Sequence, residues 1–305
     1  MTPAVLIIAN PTAGYRPPPW RDAVTRVLSE LGPVDFVAPV SPVATTEVAR
    51  SAEERGVPLI IAAGGDGTMH RVVNGLSSTS SHFGLLPVGT ANDLSRHLGQ
   101  PRSAVTAARA MLSGVFQDID AIRINKDRVM TVGGVGVIAE AAIYGDYLKR
   151  RRPWMGALAY SGAALRVIAA RGHDPIAGSF VANQATFGRY LRLPCESDNA
   201  DGVCEVVTFA GGDRLRLVRG LASLFLGSSM PKNLAACITV SRTTLTFDRE
   251  VPAFGDGENL SRAREFHISV ERAAVRVRCA RAAASEGTLA VQPGSVKMMA
   301  ISSER

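Results

Sequence analysis

Several things that would settle this chain's class at once are scarce or missing. Aromatic residues make up 6% of the 305 positions. That is too few to interleave with the scattered basic residues as a base-stacking surface, so nucleic-acid binding is set aside. The four cysteines, Cys195, Cys204, Cys237 and Cys279, form no CxxC pair and no metal-like spacing with the five histidines. Zinc is not expected on that basis, and free thiols in a reducing compartment are. No apolar run reaches the ~20 residues of a bilayer span. The longest, "WMGALAYSGAALRVIAA", is interrupted by Arg166. The opening run at residues 5–9 is too short for a signal h-region and lacks a basic n-region. The expectation is a cytoplasmic protein without a transmembrane helix. No internal repeat or low-complexity tract is visible.

What is present is an ordinary globular composition, 46% hydrophobic and 20% charged, long enough for two cores. The net charge of +7 favours anionic partners without choosing among nucleotides, acidic lipid surfaces and nucleic acid. From residue 4 to about 122, short apolar runs ("AVLIIA", "VDFVA", "PLIIAA", "FGLLPVG") alternate with helix-like segments ("WRDAVTRVLSEL", "VATTEVARSAEERG"). This is the texture of an α/β domain with a parallel sheet, whose functional loops lie at the carboxyl ends of the strands. From 123 to 285, strand-like runs such as "RVMTVGGVGV", "GSFVANQATF", "VCEVVTFA", "TTLTFD" and "EFHISV" predict a mainly antiparallel second domain. Within it, "RRPWMGALAYSGAALRVIAA" and "DRLRLVRGLASLFLG" read as helices. The stretch 286–305 ends strand-like and is expected to pack back on the first domain.

The chemistry concentrates in three loops. In "IIAAGGDGTMH", residues 60–70, Gly64, Gly65 and Gly67 permit close backbone approach to an anion, and Thr68 adds a hydroxyl. A tight strand-to-helix turn explains the glycines but not Asp66 among them. After the next strand, "LLPVGTANDLSRHLG" repeats the design, with Gly89, Thr90, Asn92 and Asp93. Asp93 alone is equally well a helix N-cap. A third loop, "ANPTAG", ends the first strand with Asn10, Thr12 and Gly14. In a parallel sheet all three converge on one edge.

These motifs, in this order and spacing, resemble the diacylglycerol kinase catalytic-domain family, which includes soluble bacterial lipid kinases and the sphingosine and ceramide kinases. "DIDAIRIN", "VGGVGVIAEAA", "VANQATFG", "ADGVCEVVTF" and "FGDGENL" extend the likeness along the chain. The resemblance implies an NAD-kinase-like α/β domain joined to a β-sandwich, with the active site in the cleft between them. It implies ATP and Mg2+ as cofactors, and a lipid hydroxyl at a membrane surface as acceptor. Gly65, Asp66, Gly67, Thr68 and Thr90 would meet the phosphates, and Asn10 and Thr12 the adenine. Asn92, Asp93 and Asp120 would organise the nucleotide and its magnesium network. Asp201, in "ADG", would hold a structural magnesium. Asp256 would be the general base, with Glu258 beside it in "DGE". Phosphoryl transfer requires such a carboxylate to take the proton of the attacking hydroxyl. The same "GDGEN" is also a strong hairpin turn.

The chain departs from the family in two places. The family commonly follows "GGDGT" with a hydrophobic residue, Asn and Glu, whereas Met69 is followed here by His70 and Arg71. Arg71 is expected to face solvent. Tyr15 and Arg16 stand where a basic residue often follows the first motif's glycine directly. The basic run at 149–152 beside Trp154 suits either a solvated face or an anionic membrane surface. The rival readings are an NAD kinase, which typically lacks the "LPVGTANDL" element, and a catalytically silent nucleotide- or lipid-binding regulator. The four acids Asp66, Asp93, Asp201 and Asp256 together speak against the latter. The sequence leaves the acceptor lipid and a homodimer open.

Overall fold

The computed structural model describes residues 2–10, 20–77, 80–152, 154, 158–170, 176–188, 191–193, 195–211 and 236–280. Its N-terminal layer runs β1 (Val5–Ala9), α1 (Arg21–Leu28, then one 3-10 turn), β2 (Val34–Val37), α2 (Pro42–Glu54), β3 (Leu59–Gly64), α3 (Asp66–Gly75), β4 (His82–Pro87), α4 (Asp93–His97) and α5 (Ala104–Leu112). The strands pair in parallel in the order β4-β3-β1-β2, with Val5 opposite Leu59 and Leu59 opposite His82. Along β1, Val5, Ile7 and Ala9 enter one core with Val24, Leu28 and Met111, while Leu6 and Ile8 enter another with Ala49, Val72 and Val73. Burial on both faces explains why these strands read as continuous apolar runs rather than alternating ones. It also requires helices on each side, which α1 and α5, and α2 and α3, supply.

The remainder comprises β5 (Val115–Ile124), β6 (Asp127–Val129), β7 (Val132–Gly136), α6 (Val137–Arg151), α7 (Leu158–Ala170), β8 (Ile176–Ala182), β9 (Thr186–Phe187), β10 (Leu191–Arg192), β11 (Cys204–Gly211), β12 (Ala236–Val240), β13 (Arg242–Gly255) and β14 (Glu258–Cys279). β12-β11-β8-β7-β13-β14 pair antiparallel, as expected. Phe180, Ala182, Val207 and Phe209 fill one core of this part, and Val181, Cys204 and Val206 fill another. β14 then pairs antiparallel with β5 and touches β4 at Val277 opposite Phe83, so the parallel layer and the antiparallel part form one continuous sheet.

Two differences from the sequence reading stand out. The run "RVMTVGGVGV" is split between β6 and β7, with Met130 and Thr131 in the gap. Helix α6 was not expected. Its first residues, Val137, Ile138 and Ala139, are all buried and extend the apolar run of β7, so the strand pattern masks the helix start at Gly136. The helix expected in "DRLRLVRGLASLFLG" and the strand expected in 286–305 lie outside the described residues. No helix among the described residues is long and apolar enough to cross a membrane.

Candidate active site

The site is built at the carboxyl ends of β3 and β4. β3 ends at Gly64, Gly65 is the N-cap of α3, and its carbonyl takes the N–H groups of Thr68 and Met69 at 3.0 and 3.1 Å. Thr68 is buried and folds its side chain back toward Gly64, where a Cβ would overlap its hydroxyl. The second loop lies directly on the first. Val88 and Gly89 each donate N–H to the Gly64 carbonyl at 3.2 Å. Gly89 also faces Asn92 Oδ1 at 3.1 Å, while Asn92 Nδ2 donates to the Gly89 carbonyl at 2.8 Å. A Cβ on Gly89 would overlap the Cα of Gly65, so only glycine allows the two backbones to touch. Asn92 turns the chain into α4 from a left-handed conformation, φ 50 and ψ 51. Thr90 is exposed on this loop. Asn10 follows β1 and donates its N–H to the Ala63 carbonyl at 3.2 Å, which brings the third loop's start to the same edge. Thr12, Gly14, Tyr15 and Arg16 lie outside the described residues.

Asp66 opens α3, where a carboxylate complements the positive end of the helix. Its Oδ1 accepts the backbone N–H of Asp93 at 2.6 Å. Burial, the Asp93 charge and, more weakly, the Asp256 charge push its carboxyl up to about 7. Asp93 is not the cap of α4, a position held by Asn92. Its Oδ1 accepts from Arg96 Nη2 and its Oδ2 from the Gly188 N–H, each at 2.6 Å, so it ties the second loop to the end of β9.

Asp256 and Gly257 are the two turn residues between β13 and β14, at φ 52 and 77, with Gly255 opposite Glu258. This is a hairpin of the kind Asp-Gly favours. The turn also delivers a carboxylate to the interior, since Asp256 is 3% exposed. Its Oδ1 accepts from Thr131 N–H at 2.9 Å and Thr131 Oγ1 at 2.8 Å, and Met130 N–H lies 3.1 Å from both oxygens. Its Oδ2 meets His70 Nδ1 at 2.9 Å. Arg71 does not face solvent as expected. Its Nη2 donates to Glu258 Oε2 at 2.6 Å and its Nη1 to the Gly67 carbonyl at 2.9 Å. Glu258 in turn lies against Gly67, where a Cβ would overlap it. Thus the two positions that depart from the expected pattern, His70 and Arg71, hold the two carboxylates of the hairpin. Their type and place in the glycine motif were the available signal.

Asp120 and Asp201 gather elsewhere. The Asp120 oxygens accept from Gly202 N–H at 2.6 Å and Ala273 N–H at 2.7 Å, not from either glycine loop. Asp201 Oδ1 accepts from Val203 N–H at 3.0 Å, and its carbonyl takes Arg272 Nη2 at 2.8 Å. Burial, helped by Asp198 and Asp120, raises its carboxyl. The Arg272 guanidinium that donates to the Asp201 carbonyl also lies against Gly202. Among the described residues no group of three or more His, Cys, Asp or Glu gathers as a metal cage. Asp66 does fit a phosphate-bound Mg2+, which uses one or two carboxylates with substrate oxygens. Its like-charged neighbours give the carboxyl the electrostatic demand for a cation.

A family model for the diacylglycerol kinase catalytic domain matches residues 4–124, and one for the YegS C-terminal NAD kinase beta sandwich-like domain matches residues 173–279. The chain thus carries a diacylglycerol kinase catalytic domain followed by a YegS-type C-terminal domain. Among its relatives, a "Diacylglycerol kinase" of Bacillus subtilis is 39% identical over 118 residues, which is 38% of each chain. A "Probable lipid kinase YegS" of Salmonella gallinarum is 28% identical over 298 residues, 90% of this chain and 96% of that one. The match thus spans well under half of the first relative's length and nearly all of the second's. A solved diacylglycerol kinase structure from Bacillus anthracis shares the fold, with a TM-score of 0.69 at 18% identity over 90% of this chain and 96% of that one.

Proposed function

We infer that the protein transfers the γ-phosphate of ATP to a lipid hydroxyl, with Asp256 taking the hydroxyl proton. The observation that carries this reading is the docking of the hairpin carboxylates on the helix that ends the glycine loop, through His70–Asp256 at 2.9 Å and Arg71–Glu258 at 2.6 Å. Backbone N–H groups at the N-terminus of α3 and along the two crossed loops suit a polyphosphate. Asp66 would hold Mg2+, whose charge offsets that developing on the transferred phosphoryl group. Asp256 stands on the other side, held by hydrogen bonds from Met130, Thr131 and His70. The lipid acceptor follows from the names of the relatives, both of them lipid kinases.

A lipid acceptor has to be met at a bilayer, and the α6–α7 region suits that surface. Lys149, Arg150 and Arg151 occupy the last turn of α6, where cations also complement the helix end. Trp154 is 79% exposed, and Tyr147 and Leu165 are exposed nearby in sequence. Cations beside exposed aromatic and apolar groups match an anionic interface.

The test is phosphorylation with labelled ATP and Mg2+ of a panel holding diacylglycerol, ceramide, a sphingoid base, a prenol and NAD. A labelled lipid supports the reading. Label on NAD alone makes the chain an NAD kinase, and no product with nucleotide binding intact makes it a silent relative.

A further inference from the structure

His70 and Asp256 come from distant parts of the chain, and both are buried, at 8% and 3% exposure. An ionised carboxylate only accepts, so His70 Nδ1 carries the hydrogen of their 2.9 Å bond. Asn74, one turn further along α3, lies beside the other edge of the ring. Its amide is locked to the Arg128 peptide, with Nδ2 donating to the Arg128 carbonyl at 2.9 Å and Oδ1 accepting the Arg128 N–H at 2.8 Å. That arrangement turns the amide nitrogen, not the oxygen, toward His70 Nε2 at 3.4 Å. Both hydrogens of that nitrogen are taken, by the Arg128 carbonyl and by the His70 carbonyl at 2.8 Å, so it is the bond to Asp256 that selects the Nδ1–H tautomer. Arg128 is anchored in turn by two contacts to Glu271, at 2.9 and 2.5 Å, and by the carbonyls of Val73 and Leu76.

We propose that His70 is the positioning residue for Asp256, aiming its carboxylate from the helix whose first turn faces the phosphates. This deepens the kinase reading and rests on Asp256 taking the proton. Met130 and Thr131 hold Asp256 from the β6–β7 connection, within the antiparallel part. Among the described residues, the side chain that reaches it from the phosphate-loop helix is His70. Asp66 and His70 are one turn apart on one face of α3. The helix itself therefore sets the spacing between phosphate corner and proton acceptor.

The test compares three full-length variants, assayed with labelled ATP, Mg2+ and diacylglycerol in mixed micelles. His70→Phe keeps a ring and deletes the donor. His70→Asn keeps a donor near the place of Nδ1. Asp256→Asn removes the carboxylate. The expected result is a fall in kcat of about 10²-fold for His70→Phe, as for a misaimed catalytic group, with the KM for ATP unchanged, and recovery of most of that loss in His70→Asn. Long-range 15N–1H spectra of the wild type give a readout independent of turnover. They should show His70 protonated at Nδ1 and bare at Nε2, with the tautomers mixed in Asp256→Asn. Wild-type kcat in His70→Phe beside an inactive Asp256→Asn would overturn the proposal and leave the kinase reading intact. So would an equal loss in His70→Asn and His70→Phe, or an Nε2–H tautomer. Wild-type turnover in Asp256→Asn would instead remove Asp256 as base, and the spectrum would still judge the pair.

Discussion

Asp66 Oδ1 accepts the backbone N–H of Asp93 at 2.6 Å. The bond closes the first glycine loop onto the start of α4 and leaves the two carboxylates side by side. It lowers the cost of the Asp66 charge, yet burial and the neighbouring negative charge outweigh it and raise the carboxyl to about 7.

That imbalance makes stability depend on pH. Asp66 ionises near 3.8 when unfolded and near 7 when folded, so the unfolded chain loses this proton first as pH rises. The contribution is greatest below the unfolded value and is lost through about 7. In metal-free protein, denaturant midpoints for the wild type should therefore fall more steeply between pH 4 and about 7 than those for Asp66→Asn. Glu205, also raised to about 7 by burial, acts in the same direction in both proteins and cancels in the difference. Parallel curves would show that Asp66 is not desolvated.

Gly89→Ala should separate the two crossed loops, because the added Cβ overlaps Gly65. Gly99→Ala is the control, with open space around its Cβ but φ +65, so it should lose only about 1–2 kcal/mol of stability as left-handed strain. Titration calorimetry with ATP and Mg2+ should find affinity lost in Gly89→Ala and kept in Gly99→Ala.

Asp256→Asn keeps the size and turn preference of the residue at φ 52. Turnover should fall ~10²- to 10⁴-fold, the usual cost of removing a general base, with ATP affinity unchanged. Rates near wild type in a variant with wild-type melting would reduce Asp256 to its turn.

Arg71 and Glu258 are each about a quarter exposed, at 25% and 27% of the side chain. Reversing either alone sets like charges against each other, and reversing both restores an opposite pair. A double-mutant cycle in urea should give a coupling of about 1 kcal/mol. Additive losses would mean that the ion pair does not hold the hairpin.

Charge reversal across residues 149–152 should reduce activity on anionic vesicles far more than on detergent-dispersed lipid, and added salt should shrink the difference. Equal losses in both formats would mean that these cations serve the end of α6 alone.

The crossed loops were legible because glycine spacing reports backbone approach directly, and β1, β3 and β4 were legible from their apolar runs. Arg71 was not, because solvent is the usual destination of a charged helix residue, and its partner Glu258 is 187 positions away. The same distance problem hid the His70–Asp256 contact. The partners of Asp120 were hidden as well. Its expected place in a nucleotide network came from the resemblance, while the backbone N–H groups that meet its oxygens come from Gly202 and Ala273, and no local pattern announces them. Helix α6 was lost because burial at its first turn erased the expected change of period.

β14 runs 22 residues from Glu258, against the first glycine loop, to Cys279 beside β5. In its pairing with β5 the register shifts once, between Glu271 and Val275, and there Ala273 sits at φ 48 with its N–H gripped by Asp120. The strand is thus a beam shared by both halves of the molecule, and Asp120 is the rivet at its only soft joint against β5. A strand shared in this way resists a hinge between the halves. Loosening the rivet at Asp120 would detune the alignment of hairpin and glycine loop from a distance.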